Sequence, residues 1–457
     1  IQLGKVLMVD LFHMRRQHPV GQGFCHSGLL GMSQQRPLSE IQPSDFGGEA
    51  LLYFYDCGSI PKHQQDRDEA IKVAVAEHEG MMIDLLYISH FHYDHVSGLK
   101  KLLDPVDGLR VDTVVLPLVD AHERIVLCAR SLHEADAEDL GAFYSRLVSD
   151  PVGAIVALCN PRQIILVGQS EDRPPDDEPL PPVEPEGPAI SGRRPEGDFG
   201  FTWRVIGHMP SRSTTVDSTT IFEIDDDTEI EVIAQAAPIV PITWRFRPYV
   251  SSDIGGIDVV LNKLANLLKI SRVDVDELIE DKDQLSELIV EYPTELRDAY
   301  KMASKNLNLT SLCLYSGPVQ SADSDGRVYW QMRVGEANFV YWHGMPSDGA
   351  RTAWLGTGDS EIKTRDSATK FINHFADIKD TVETLTLPHH GSDNNLGLSV
   401  LNKIAPSKCI AAAAWVRKSW KHPGHYVVQN VASRGIDLKI VTDDKRSAIT
   451  DFFWYVS

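Results

Sequence analysis

The seven residues Ser89-His90-Phe91-His92-Tyr93-Asp94-His95 place three imidazoles and one carboxylate within six positions. Side chains two apart on extended backbone leave the same face, so His90 and His92 project together. Asp94 and His95 follow as the chain turns, and Val96-Ser97-Gly98 opens an expected helix. Imidazole and carboxylate suit borderline divalent ions such as zinc, and manganese accepts them as well. Directly before them, Met82 to Ile88 is an apolar run that reads as a buried strand. A lone histidine beside such a run is ordinarily a core or surface residue. Four ligand-type side chains at one strand end point instead to a metal site.

Short polar motifs recur where other apolar segments end. They are Val20-Gly21-Gln22-Gly23, Asp56-Cys57-Gly58, Thr357-Gly358-Asp359, Pro388-His389-His390-Gly391-Ser392 and Trp420-Lys421-His422-Pro423-Gly424-His425. Each alone is weak; Asp56 by itself reads as a turn or cap carboxylate. In this order, around the histidine cluster, they resemble the metallo-β-lactamase superfamily. Within it they are similar to the soluble hydrolase domain of ComEC-type competence (DNA-uptake) proteins. The resemblance covers roughly residues 5–167 and 219–454 and is to the catalytic domain only.

That resemblance implies an α/β fold, the αββα four-layer sandwich of the superfamily, with a helical insertion. It implies two divalent ions, zinc or manganese. His90 and His92 would hold one, Asp94 and His95 the second, and Asp359 would bridge both. His389 and His422 take the C-terminal ligand places. His390 and His425 compete with them, and the sequence does not choose within either pair. Asp56 would support the metal loops by hydrogen bonding. Many superfamily members give the first ion a further histidine; here the resemblance points to the segment Asn306-Leu307-Asn308, with Asn308 as candidate. An amide oxygen is a weaker zinc ligand, which implies either loose binding or a preference for manganese there. His343 and His208 are alternatives that read more simply as structural residues.

The chemistry follows from such a ligand set. Two ions lower the pKa of water, giving a metal-activated hydroxide, and neutralise charge on a phosphoryl or carbonyl oxygen. Asp94 and Asp359 are the expected catalytic carboxylates, and a histidine left unbound, His390 in particular, is the expected proton donor to the leaving group. No Walker loop, serine elbow or catalytic cysteine context competes. The resemblance implies a phosphodiesterase, specifically a nuclease acting on DNA. One alternative is a hydrolase of a small ester, lactone or cyclic nucleotide. Another, from a different class, is a partner-regulated binding module in which the helical insertion or an acidic loop binds a protein.

The 457-residue chain carries a formal charge of −21. That counts against broad attraction to nucleic acid or an anionic membrane. Its six cysteines lack metal-knuckle or redox spacing and lie mostly in apolar runs, as reduced buried thiols do. This predicts a reducing, cytoplasmic setting. No apolar run is long enough to span a bilayer, and the N-terminus does not read as a signal peptide.

The elements that must position the site divide the chain into five parts. Residues 1–167 form the first half of the hydrolase domain, with strands expected at Lys5–Val9, Leu51–Tyr55, Val111–Pro117 and Gln163–Val167, and helices over 121–158. Residues 168–198 hold eight prolines and many acids, and read as a flexible loop. Residues 199–253 continue the sandwich. There Thr219–Ile224 and Glu229–Ala234 read as a hairpin around a solvated turn, Asp225-Asp226-Asp227-Thr228. Residues 254–305 read as a three-helix insertion covering the core. One apolar stripe is Val259, Leu261, Leu264, Leu267 and Leu268, a second runs from Leu278 to Ile289, and Pro293 starts the last helix. Residues 306–457 close the domain.

Overall fold

The computed structural model describes residues 9–34, 50–135, 140–170, 190–193, 200–207, 213–235, 243–251, 255–303, 309–318, 327–335, 341–343, 351–414 and 422–456. Among these, the strands form two mixed sheets, one of eleven strands and one of eight. In the larger sheet Leu51–Cys57, Met82–Tyr87, Arg110–Pro117, Gln163–Gly168 and Thr219–Asp225 run parallel side by side. In the smaller, Ala353–Gly356, Val382–Thr386, Lys408–Ala412 and Asp437–Val441 do the same.

Strand alternation explains how the sheets pack. Successive side chains point to opposite faces. Leu51, Tyr53 and Tyr55 enter a core shared with Trp244, Phe246, Leu312, Leu314 and Trp354 of the other sheet. Their neighbours Leu52 and Phe54 turn the other way, into a core with the helices Gln64–Glu77 and Ala121–Ala135. In the smaller sheet Cys313 and Tyr315 face outward onto the helices Arg365–His374, Leu398–Ile404 and His425–Ser433. The order is thus helices, sheet, sheet, helices. Strands covered on both faces are near-continuous apolar runs, and Leu51–Cys57 is buried along its whole length, with Asp56 its one charged residue.

Several expectations change. The first strand is Val9–Gln17, and residues 1–8 lie outside the described residues. Its polar appearance hid it, because Arg15 is buried between the sheets. There Arg15 pairs with Asp451 and Glu383, and Lys408 pairs with the same two carboxylates. The expected hairpin at 219–234 is not one. Thr219–Asp225 pairs within the larger sheet and Glu229–Gln235 within the smaller. The acidic turn therefore crosses between sheets. Asp226 is 1% exposed and accepts from the amides of Ser170 (2.8 Å) and Val250 (2.9 Å), while Asp227 is exposed.

The insertion has four helices among the described residues, not three: Ile257–Leu268, Arg272–Glu280, Lys282–Glu291 and Pro293–Ala303. Asp281 breaks the second stripe by capping the amides of Asp283 and Gln284. Val259 is exposed, and Val260 takes its place in the core. Of the proline-rich loop expected over 168–198, Ile190 is buried between the sheets and Arg193 pairs with Asp84 and Asp112, while 171–189 and 194–198 lie outside the described residues. All six cysteines are free thiols, five of them buried. Among the described residues no helix is long and apolar enough to cross a membrane.

Asp226 gives a direct test of this crossover. Asp226→Ala leaves two amides without their acceptor, and is expected to lower stability by about 2–4 kcal/mol in denaturant unfolding. Asp227→Ala, on the exposed neighbour, is expected to stay within about 0.5 kcal/mol of the parent. Equal effects of the two would show that Asp226 does not join the sheets.

Candidate metal centre

Parallel strands deliver their C-terminal ends to one edge of each sheet, and the motifs sit at these ends. In the larger sheet the C-terminal end of Leu51–Cys57 itself supplies Asp56, which is fully buried in the left-handed region (φ 57°). Its carboxylate accepts from the Ser89 amide (2.7 Å), the Ser89 hydroxyl (2.6 Å) and His95 Nδ1 (2.7 Å). Asp56 thereby orients two of the motif's residues, the supporting role expected of it. The short helix begins at Tyr93, earlier than expected, and carries Asp94 and His95 inward. Gly58 packs on that helix so closely that a Cβ would lie 2.6 Å from the Asp94 carbonyl. Glycine is required there on space alone.

The smaller sheet supplies the facing half. Gly358 is left-handed (φ 51°), and a Cβ on it would lie 2.4 Å from Ser311 Oγ and 2.9 Å from Ser89 Cβ. This close approach places Asp359, whose amide donates to Ser311 Oγ at 3.1 Å. After Val382–Thr386, both His389 (φ 47°) and His390 (φ 57°) are left-handed, a conformation costing on the order of 1–3 kcal/mol per residue. The two rings are thereby turned to different places. His390 Nδ1 donates to the Ala412 carbonyl at 2.8 Å, which leaves Nε2 facing Asp94 Oδ2 at 2.9 Å.

Two groups of ligand-type atoms result. His90, His92 and Asp359 form one; Asp94, His95 and His390 form the other; within each the atoms lie within 4.8 Å of one another. Asp359 faces both, with Oδ2 3.6 Å from His90 Nε2 and Oδ1 3.3 Å from His95 Nε2. His92 Nδ1 lies 2.7 Å from Asp94 Oδ1. Yet His90 Nε2, His92 Nδ1, His95 Nε2, Asp94 Oδ1 and Asp359 Oδ1 are all buried without a hydrogen bond. Buried polar atoms are normally paired, since an unpaired one costs free energy. Ligand-type nitrogen and oxygen atoms brought this close without hydrogen-bond geometry fit a shared cation. The donor set, imidazoles and carboxylates, fits zinc or manganese.

Outside the groups, each histidine's other nitrogen is held. His90 Nδ1 meets Ser89 Oγ at 2.8 Å, and His92 Nε2 donates to Glu134 Oε2 at 3.0 Å. Such partners fix the ring and raise its basicity as a ligand. Glu134 in turn pairs with Arg130, one turn earlier on Ala121–Ala135, and Arg130 Nη2 reaches Asp359 Oδ2 at 3.4 Å. Neither residue stood out in the sequence, because an Arg and a Glu four apart on a helix read as an ordinary surface pair.

Burial and neighbours set the protonation. Burial works against a charge on His92, but Asp94 and Glu134 outweigh it and push its pKa up to about 9. His95 is raised well above the usual value, against burial, by Asp56, Asp94 and Asp359. Burial and His95 push His90 down to about 4. Burial would raise Asp94 and Asp359, but the surrounding histidines hold both well below the usual carboxylate range.

Other expected residues fall elsewhere. His389, expected as a ligand, stands outside both groups but beside one of them, its Nε2 3.9 Å from Asp359 Oδ2; Arg130 Nη2 donates to that Nε2 at 2.8 Å, and Nδ1 lies 3.3 Å from Asn395 Oδ1. His390, expected as proton donor or as the competing ligand, is the histidine of this pair that joins a group able to hold an ion. His422 belongs to neither group; its ring centre lies 5.2 Å from that of His389 and 6.2 Å from that of His390. His425 is exposed at the start of a helix. His343 lies on the edge strand Tyr341–His343 of the larger sheet. Asn308 and His208 lie outside the described residues.

No protein-family model matches the chain, and no curated protein matches it significantly.

The protonation pattern predicts how ions bind. The carboxylates around His92 and His95 favour the protonated imidazoles in the ion-free protein, and a ligand must surrender its proton. Zinc binding should therefore release protons, and affinity should climb as pH rises from roughly 6 to 8. Calorimetry in buffers of different ionisation enthalpy measures both. No proton release and a flat pH dependence would contradict the ligand set.

Proposed function

We propose that this chain is a metal-dependent hydrolase of the metallo-β-lactamase fold, using two divalent ions to cleave phosphodiesters, with a nucleolytic role as its best reading. One observation carries it: Asp359 faces both ligand groups at once, from a strand end opposite His90, His92, Asp94 and His95. A site built only to stabilise the fold has no need of a carboxylate shared between two triads. The layer order of helices, two sheets and helices, with every ligand at a strand end, supports the fold reading.

Two bound ions supply Lewis acidity toward a phosphoryl oxygen and a water of lowered pKa. The chain's own residues do the rest. Asp56, Ser89 and Glu134 hold three histidine rings in fixed orientation. Asp94 joins the two triads through its contacts with His92 and His390. His389 is not placed to protonate a leaving group. Burial, followed by the nearby Arg130 cation, brings its pKa to about 3, and its neutral ring accepts from Arg130 while Nδ1 meets Asn395. His422, lowered to about 4 by burial, is likewise neutral near pH 7.

The test uses purified protein reconstituted with zinc or manganese against DNA, RNA, a cyclic nucleotide and a lactone. Asp94→Ala and Asp359→Ala are each expected to lower kcat/KM by more than about a hundredfold while circular dichroism stays native. Asp227→Ala, with an exposed carboxylate far from the ligands in sequence, should change little. Near-normal turnover of Asp359→Ala with metal in excess would refute the shared-carboxylate role. Absence of turnover on every substrate in the parent would refute the hydrolase reading.

A further inference from the structure

Arg130 stands at the rim of the ligand groups with donors unspent. Nε donates to Glu134 Oε1 at 2.9 Å, and Nη2 lies 2.8 Å from His389 Nε2 and 3.4 Å from Asp359 Oδ2. Nη1 donates to no group among the described residues. A guanidinium offers five N–H groups in a rigid plane, an arrangement that matches two oxygens of a phosphate.

The plane is held before any ligand arrives. Glu134 fixes the Nε edge, and the helix that carries both residues is anchored by Glu123, which accepts from the Thr310 amide and hydroxyl. Side-chain exposure rises outward from the ligands: 1% at His90, 4% at Asp359, 7% at Arg130, 16% at His389. The site thus opens to solvent on the side of Arg130 and His389. A substrate entering there meets a fixed cation next to Asp359. For a chain of net charge −21, a local cation matters to an anionic substrate. A neutral ester or lactone brings no ground-state charge for it to attract.

We propose that Arg130 binds a non-bridging oxygen of a phosphoryl group brought against Asp359, with Nη1 as the first donor, and so selects phosphate esters over neutral esters. The proposal rests on the hydrolase reading above and names its substrate class. Were Arg130 only a counter-charge for Glu134, phosphate would bind through the ions alone and would not sense its loss.

The experiment titrates inorganic phosphate into zinc-loaded protein by calorimetry, after elemental analysis has shown equal metal in parent and variants. Arg130→Gln is expected to keep its metal and bind phosphate about tenfold to a hundredfold more weakly. Arg130→Lys keeps the charge beside Glu134 but lacks the fork, and is expected to fall between the two. If Arg130→Gln fails to fold or load metal, Arg130→Lys decides, and it should still bind more weakly than the parent. Parent-like phosphate affinity in a folded, metal-loaded variant overturns the proposal and leaves the hydrolase reading standing. So does a metal-loaded parent that binds no phosphate. A parent that takes up no metal defeats the hydrolase reading, and this proposal with it.

Discussion

Ligand-type atoms crowded together away from water set the terms for this fold. Five buried nitrogen and oxygen atoms of His90, His92, His95, Asp94 and Asp359 converge without hydrogen bonds among them. Such convergence is unfavourable unless a cation offsets it, so every neighbouring feature must either hold the donors in place or supply charge. Asp56 does the first from the larger sheet, and Ser311 and the Gly358 turn do it from the smaller. Glu134 and Arg130 do both from the helical layer. The strained pair His389 and His390 belongs to the same requirement. Successive left-handed residues let one ring face the ligands while the other meets Arg130.

Because the ligands come from two sheets, the sheets must stay in register at the ligand edge. The inter-sheet core of Tyr53, Tyr55, Trp244 and Trp354 supplies area, but area is not directional. Direction comes from polar links that cross the interface. Tyr55 donates to the Leu312 carbonyl at 2.6 Å, and Leu312 in turn donates its amide to the Ser89 carbonyl at 2.8 Å. These two bonds tie the strand before Asp56, the strand after Thr310 and the histidine motif together. At the other links, Arg15 and Lys408 share Asp451 and Glu383, and Asp226 holds amides from both sheets. A buried charge network is weak evidence for net stability, but removing one member leaves the others uncompensated.

What was legible in the sequence follows from range. The strands around Leu52, Leu85 and Val114 are continuous apolar runs, and the histidine motif is compact, so both can be read locally. The place of Asp359 is implied only by the family resemblance that the order of motifs carries; in the structure its carboxylate lies 3.6 Å from His90 Nε2 and 3.3 Å from His95 Nε2. What failed needed long-range information. Glu229–Gln235 looked like the partner of Thr219–Asp225 because they are adjacent in sequence and alternate alike; only sheet membership separates them. Val9–Gln17 was missed because Arg15 finds its carboxylates more than 300 residues away. The choice between His389 and His390 depended on two backbone torsions and the Ala412 carbonyl, none of which a residue pattern encodes. Arg130 and Glu134 were invisible for the same reason.

The most direct test of the central claim is anomalous diffraction at the zinc edge from crystals of the zinc-loaded protein. The account predicts two peaks about 3.5–4 Å apart. One would touch His90 and His92, the other Asp94, His95 and His390, with the Asp359 carboxylate reaching both. A single peak, peaks at other residues, or His389 in the ligand place of His390 would contradict it.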